Sequence, residues 1–200
     1  MNKATAIERM NAWSRKGRYV FLVQDLAKIF HEDSPKTFKE GLQRLTKAGV
    51  FERACRGVYL YAYAKSRDSF VLEHIAKALR RGFYSYISLE SALSEAGAIS
   101  QIPLDRLTVM TTGRKGEYRT PYGVIEFTHT KRSEMEILDD VYSAARPLKV
   151  ATLKTALRDL KRVGRNTHLL DWEVLNGAGA KIHSPAAYQD RDCQHRGLYL

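Results

Sequence analysis

Two carboxylates, Asp105 and Glu126, have the clearest potential for chemistry in this sequence. Asp105 precedes one predicted strand and Glu126 lies within a later one. Two carboxylates on adjacent strands could together hold a divalent metal ion through oxygen ligands. Nucleases of the PD-(D/E)xK class place a lysine two residues beyond the second carboxylate, and Thr128 occupies that position here. We therefore interpret Asp105 as a turn or cap residue and Glu126 as a strand-edge residue, and keep a degenerate nuclease as the alternative.

Two further groups of residues have the side chains of a metal or phosphate site, but their positions in the sequence do not match a known motif. His183, Cys193 and His195 lie near the end of the sequence, but no fourth ligand stands at a recognised zinc spacing. Residues 112–116 place two glycines around a basic pair, but they lack the GK[ST] ending of a nucleotide-binding loop. We interpret this stretch as a plain hairpin turn. We expect no catalytic residue, no bound metal and no cofactor.

The composition is that of a folded protein of one or two domains, and the length of 200 residues favours two. Hydrophobic residues make up 44% of the sequence, which is enough for packed cores. No apolar run approaches the roughly 18 residues of a membrane-spanning helix, and the first residues lack an apolar export segment. The two cysteines, Cys55 and Cys193, do not form a disulfide framework. We expect a cytoplasmic protein with no membrane partner.

The charge is the most informative part of the composition. The sequence has 33 basic and 22 acidic residues and a formal net charge of +11, which favours polyanions as partners. Residues 1–67 contain 14 basic and 6 acidic residues, whereas residues 68–200 contain 19 and 16. The first third of the chain is therefore the predicted nucleic-acid-binding part.

The first 66 residues predict three helices followed by a β-hairpin. Apolar periodicity predicts helices over 2–14, 20–30 and 35–48, and the Ser34-Pro35 pair is a typical helix start. Two β-prone runs, 50–53 and 58–61, are separated by a turn over 54–57. We therefore predict an α+β protein with an N-terminal winged helix-turn-helix domain over 1–66 and a mixed α/β domain over 67–200.

In a winged helix the last helix enters the DNA major groove and the hairpin approaches the phosphates. The polar face of the third predicted helix and the tip of the hairpin are both basic. The alternative is a simply solvated face, or a domain that makes only protein contacts. The predicted DNA-binding residues are Lys36, Thr37, Lys39, Gln43, Arg44, Lys47, Arg53 and Arg56.

The second part of the chain predicts helices over 68–81 and 89–96, the latter capped by Ser88, and strands over 107–110 and 122–128. A further helix over 150–163 has an apolar stripe of Leu153, Leu157 and Leu160. Residues 166–200 show no clear pattern. Opposite the apolar stripe lies a basic one that could hold a polyanion or an acidic partner, or be solvated. It contains Lys154, Arg158, Lys161, Arg162 and Arg165.

Several stretches together resemble the AbiEi family of antitoxins. They are the predicted wing at 56–59, the long block 84–97, and the strand segments 107–113 and 122–128. The resemblance spans nearly the whole chain. One departure is Leu153-Lys154, which stands where many family members have a Pro-Glu pair.

The resemblance implies a type IV antitoxin that acts through two domains. The N-terminal domain would bind inverted repeats at its own promoter and repress transcription, as a monomer in solution or a cooperative pair on DNA. The C-terminal domain would counteract a nucleotidyltransferase toxin without a stable complex, through the surface formed by Lys154, Arg158, Arg162 and Arg165. A nucleic-acid-modifying enzyme and a ligand-sensing winged-helix transcription factor are the alternatives.

Overall fold

The computed structural model of the protein describes residues 1–99 and 105–179 and has a mixed α+β fold with two sheets. The first elements are three helices and three short strands. β1 pairs antiparallel with β3, which also pairs antiparallel with β2, so β3 is the central strand of this sheet. The elements are α1 (Lys3–Ser14), β1 (Val20–Leu22), α2 (Val23–Ile29), α3 (Pro35–Lys47), β2 (Phe51–Cys55) and β3 (Val58–Tyr61).

The predicted helix over 20–30 is wrong at its start, because Val20–Leu22 is strand β1. The apolar spacing of these residues fits a helix, but their backbone pairs with β3, where Val20 lies opposite Leu60. Helix α2 begins only at Val23, where the Asp25 carboxylate accepts a hydrogen bond from the Leu22 N–H at 3.1 Å. A long-range strand partner therefore overrides the local helical pattern.

The second sheet has six strands in the order β6-β7-β5-β4-β9-β8. Helices separate β4 from β5 and β7 from β8, and the described part of the chain ends in a helix. The elements of this part of the chain are α4 (Val71–Leu79), β4 (Ser85–Ile87), α5 (Leu89–Glu95), β5 (Arg106–Thr111), β6 (Gly116–Thr120), β7 (Gly123–His129), α6 (Glu134–Leu138), β8 (Val141–Tyr142), β9 (Lys149–Ala151), α7 (Leu153–Val163), a 3₁₀ turn (Thr167–Leu169) and α8 (Trp172–Gly179).

The prediction of a plain hairpin turn over 112–116 is wrong. β5 and β7 pair in parallel, with Thr108 opposite Glu126, and two strands joined by a tight turn cannot be parallel. Residues 112–115 instead lead into β6, which lies on the far side of β7 and pairs with it antiparallel. Residues 116–120 have little apolar pattern, so this strand was not predicted.

The helices of the second part agree with prediction only in part: the helix predicted over 68–81 is the shorter α4, Val71–Leu79, whereas α5 begins at Leu89 as predicted but without the predicted cap. The helix predicted over 150–163 begins at Leu153, because Val150 pairs with Ile87 in the sheet and Thr152 caps the helix by accepting the Thr155 N–H. Ser88 makes no side-chain cap for α5; its hydroxyl donates instead to Asp159 at 2.9 Å. On α7, Leu160 is buried as predicted, whereas Leu153 and Leu157 are half-buried.

Helix α4 contacts strands of both sheets, so the two parts of the chain share one apolar cluster. Val20, Val58 and Leu60 of the first sheet belong to the same buried cluster as Ile75 and Val109. A second cluster, around Phe21, Leu26 and Phe51, belongs to the first three helices and their sheet. Removing residues 1–66 would therefore expose apolar surface of the remaining chain, and point substitutions in the full chain are the better test of separate functions.

Candidate nucleic-acid interface

Helix α3 is fixed at both ends and along one face. The Ser34 hydroxyl accepts the Thr37 N–H at 3.2 Å, and Pro35 follows at the first helical position. Past the C-terminus Gly49 has φ +71°, a left-handed conformation that suits glycine. Phe38, Leu42 and Leu45 are buried in the cluster of the first three helices, so the opposite face is held towards solvent.

That solvent face contains four of the predicted DNA-binding residues without competing contacts. Lys36, Lys39, Gln43 and Lys47 are exposed, and none makes an ion pair or side-chain hydrogen bond with another described residue. The two remaining predicted residues of α3 are engaged locally. Thr37 shares a hydroxyl contact with Ser34, and Arg44 donates to the Met1 carbonyl at 2.6 Å.

The hairpin β2–β3 carries the other two predicted residues. Its turn is Arg56-Gly57, tighter than the predicted 54–57, because β2 extends to Cys55 through a bulge in the register after Arg53. Gly57 has φ +80° and its carbonyl accepts the Val23 N–H at 2.9 Å. Arg53 and Arg56 are exposed. The hydrogen bond from Val23 ties the hairpin tip to the start of α2, so the tip and the helices form one unit.

The predicted basic stripe on α7 is divided between solvent and internal ion pairs. Lys154 is exposed without an ion pair in the described residues, whereas Arg158 donates to Asp140 at 3.1 Å. Arg162 is exposed and makes a long contact of 3.4 Å with the His129 carbonyl.

Arg165 does not belong to this helix, because α7 ends at Val163 and Gly164 takes a left-handed conformation. Its side chain donates to Glu90 at 2.8 and 3.1 Å and also to Glu126. Helical spacing placed it in the stripe, but the helix ends two residues before Arg165, so that spacing does not apply to it.

The two carboxylates of the nuclease hypothesis do not converge. Asp105 precedes β5, and its carbonyl accepts the Val124 N–H at 2.7 Å. Glu126 lies opposite Thr108, three residues beyond Asp105, which is a distance of about 10 Å along a strand. Its carboxylate is bound by Arg106 at 2.7 Å and by Arg165. The interpretation of Glu126 as a strand-edge residue is wrong, since β7 has a neighbour on each side.

The other sequence candidates add no metal site to the described part of the chain. His183, Cys193 and His195 lie outside the described residues. Within 1–99 and 105–179, no three His, Cys, Asp or Glu side chains are close enough to share a metal ion. No helix in these ranges is long and apolar enough to cross a membrane.

Sequence reasoning missed a carboxylate that links α2 to the rest of the molecule. Asp25 is buried and accepts hydrogen bonds from Arg81 at 2.6 and 2.7 Å and from Arg18 at 2.5 Å. The hydrogen bonds from Arg81, aided by the Leu22 N–H and the charge of Arg18, hold the pKa of Asp25 below its usual value although burial opposes this. Residues 80–82 showed only the end of a helix in the sequence, and nothing there indicated a distant partner.

Comparison with known proteins gives little further information. No family model matches the sequence, and no curated protein is similar to it. Among solved structures, the chain is similar to the crystal structure of the RV2827C protein from Mycobacterium tuberculosis, with 14% sequence identity and a TM-score of 0.43. The similarity covers 66% of this chain and 47% of that chain, so this chain spans about half the length of its neighbour.

Proposed function

We propose that this protein binds duplex DNA through a winged helix-turn-helix and acts as the autorepressing antitoxin of a type IV toxin–antitoxin system. The observation that carries the DNA-binding part is the solvent face of α3, where Lys36, Lys39 and Lys47 have no ion-pair partner among the described residues. Its natural partner is a polyanion.

The contrast with the second sheet supports this assignment. Arg106, Arg146 and Arg165 are each bound to two carboxylates. Their positive charge is therefore neutralised within the fold. The positive charges of the α3 lysines are not neutralised in this way. If these lysines bind DNA phosphates, counterions are released from the DNA, which favours binding.

The order and pairing of the first elements support a winged helix. α2 and α3 follow β1, and the hairpin β2–β3 returns beside β1 to complete a three-stranded sheet. In such domains the last helix lies in the major groove and the hairpin contacts the backbone. We assign base contacts to Lys36 and Gln43, near the start and middle of α3, and phosphate contacts to Lys39, Lys47 and Arg56.

The antitoxin part of the proposal depends on the resemblance to the AbiEi family. Lys154 and Arg162 are the members of the predicted antitoxin surface that remain exposed and free of ion pairs in the described structure. A surface of this charge could oppose a nucleotidyltransferase toxin by holding the same nucleic acid or an acidic face of the toxin. The operator would contain inverted repeats, bound by a cooperative pair of monomers, and the cytoplasm would be the site of action.

The test of DNA binding separates base contacts from backbone contacts in the full-length protein. The binding sequence is first selected from a random duplex pool and compared with the region upstream of the gene. Lys36→Ala or Gln43→Ala should then change the base preference, at about 1 to 3 kcal/mol per lost base contact, whereas Arg56→Ala should weaken all sequences alike. Uniform losses from all three variants would show that α3 is not the recognition helix.

The test of the antitoxin role uses survival of cells that express the neighbouring toxin gene. Lys154→Glu/Arg162→Glu should lose protection while it still represses its promoter, and Lys36→Ala/Gln43→Ala should show the reverse. Circular dichroism confirms that each variant is folded. Full protection by the folded charge-reversal variant would remove this face of α7 from the mechanism, and absence of a toxin gene beside this one would favour the other function classes.

A further inference from the structure

A cleft of about 620 Å³ lies between the first sheet and the second part of the chain. Three separate segments contribute cations to its wall: Arg18 precedes β1, Lys77 and Arg81 belong to α4 and the turn after it, and Lys149 lies in β9. No aspartate or glutamate lines this cleft in the described structure. The cleft therefore has an excess of positive charge.

Arg80, which also lines the cleft, is a buried cation without a counter-ion. Its residue is only 7% exposed, and no carboxylate of the described chain pairs with it. The guanidinium donates to the Arg114 carbonyl at 2.9 Å and to the Tyr118 hydroxyl at 3.2 Å, and it lies 4.0 Å from the centre of the Phe127 ring. These partners do not line the cleft, so the Arg80 guanidinium adds positive charge beside the cleft and is not assigned a direct contact with an anion.

The other cations of the cleft differ in how much of their charge is available. Arg18 and Arg81 share the Asp25 carboxylate, which lies behind them in α2. Lys77 and Lys149 have no ion-pair partner among the described residues. Because their charges are not paired, these two lysines are the candidates for direct contact with an anion.

Aromatic side chains line the same cleft. Phe83 is 54% exposed and lies against Gly113, where an added Cβ would be 2.9 Å from the ring. Tyr84 has a buried hydroxyl with no hydrogen-bond partner in the described structure. Aromatic faces stack on nucleobases, and the volume lies within the usual range for small-ligand sites.

Compensation of a helix dipole explains only part of this arrangement. Basic residues near the end of a helix commonly offset the negative end of its dipole, which accounts for Lys77, Arg80 and Arg81 at the end of α4. It does not account for Lys149 or Arg18, which lie in other elements.

We propose that this cleft binds a nucleoside phosphate, with Lys77 and Lys149 on the phosphates and an aromatic wall for the base. This goes beyond the proposed DNA binding and does not depend on it. The bound phosphate would lie beside Arg18 and Arg81, which hold Asp25 in α2. Occupancy of the cleft would thereby influence the position of α2 against the second part of the chain.

The experiment is isothermal titration calorimetry, which measures the affinity of the full-length protein for ATP and, separately, for pyrophosphate. Lys77→Gln/Lys149→Gln should bind ATP at least tenfold more weakly than the wild type. The matched control, Lys36→Gln/Lys39→Gln, loses the same charge on α3 and should bind ATP normally. ATP should bind more tightly than pyrophosphate, and both variants should keep the wild-type melting temperature.

Duplex-DNA binding of the same proteins keeps this proposal separate from the DNA-binding one. The expected result is reciprocal, with DNA affinity lost in the α3 variant and retained in the cleft variant. Absence of saturable ATP binding up to millimolar concentration, or equal ATP affinity in both double variants, would overturn the site. Equal affinity for ATP and pyrophosphate would overturn the nucleoside assignment. If the wild type does not bind ATP and Lys77→Gln/Lys149→Gln loses DNA affinity, these lysines contact the DNA backbone instead.

Discussion

Arg81, just beyond α4, donates two parallel hydrogen bonds to Asp25 in α2, at 2.6 Å from Nη1 to Oδ1 and 2.7 Å from Nη2 to Oδ2. The pair joins the helices of the first sheet to the second part of the chain. Arg18 and the Leu22 N–H bind the same carboxylate. Asp25 therefore fixes the start of α2 and at the same time the orientation of α2 relative to α4.

Loss of this pair should destabilise the protein. Arg81→Ala removes two charge-assisted hydrogen bonds from a carboxylate whose side chain is only 10% exposed, and should lower the free energy of unfolding by about 1 to 3 kcal/mol. Arg119→Ala is the control, because Arg119 is 84% exposed in its ion pair with Glu117 and its loss should cost about 0.5 kcal/mol or less. Urea denaturation measures both. Equal losses would mean that the Arg81–Asp25 pair contributes no more than a surface contact.

The same carboxylate should make stability depend on acid pH. Since the pKa of Asp25 is depressed in the folded state, its contribution is fully present above the unfolded value of about 4 and is lost as pH falls through the folded value. The wild type should therefore lose stability below pH about 4 more steeply than Asp25→Asn. Asp68 and Asp140, whose pKa values are also lowered, titrate in both proteins. Parallel stability curves for the two proteins would contradict the depressed pKa.

Two residues of the predicted antitoxin surface should differ in their structural role. Arg165→Ala leaves Glu90, whose side chain is 6% exposed, without its main partner, and should cost about 3 kcal/mol or more of stability. Lys154→Ala should change stability by about 0.5 kcal/mol or less, because Lys154 is exposed. Thermal and urea denaturation of both variants give the comparison. A neutral Arg165→Ala would show that the ion pairs of Arg165 are dispensable.

No nuclease activity is expected from Asp105 and Glu126. Glu126 is held by Arg106 and Arg165, and the lysine typical of such nucleases is replaced by Thr128. Incubation with labelled DNA or RNA and Mg²⁺ or Mn²⁺ should leave the substrate intact. Reproducible cleavage that disappears in Glu126→Gln would establish an enzyme.

Local signals predicted the N-terminal helices better than the sheets. The Ser34-Pro35 start and Gly49 stop of α3 are properties of a few adjacent residues, and the predicted and observed helix agree closely. β1 has only three residues and its partner strand begins 38 positions after its first residue, so its apolar run was taken for part of a helix. The parallel pairing of β5 with β7 likewise depends on where β6 lies, which no short stretch of sequence encodes.

The charge pattern predicted basic surfaces, but it did not predict which basic side chains are free of internal ion pairs. The helical spacing placed Arg158 and Arg165 with Lys154, yet their carboxylate partners Asp140 and Glu90 are 18 and 75 positions away. The cleft that contains Lys77 and Lys149 is formed by segments that are distant in sequence. Only the folded structure distinguishes a free lysine from a paired arginine.

The salt dependence of duplex-DNA affinity tests the central claim most directly. Each phosphate neutralised contributes about −0.9 to the slope of log K against log salt concentration. The Lys39→Ala/Lys47→Ala/Arg56→Ala variant should therefore lower the magnitude of that slope by about 3, at about 1 per lost contact. The control variant Lys115→Ala/Arg119→Ala/Lys131→Ala removes three exposed basic side chains from the second part of the chain and should keep the wild-type slope. Equal slopes for the wild type and the first variant would contradict the assignment of α3 and the hairpin tip to DNA.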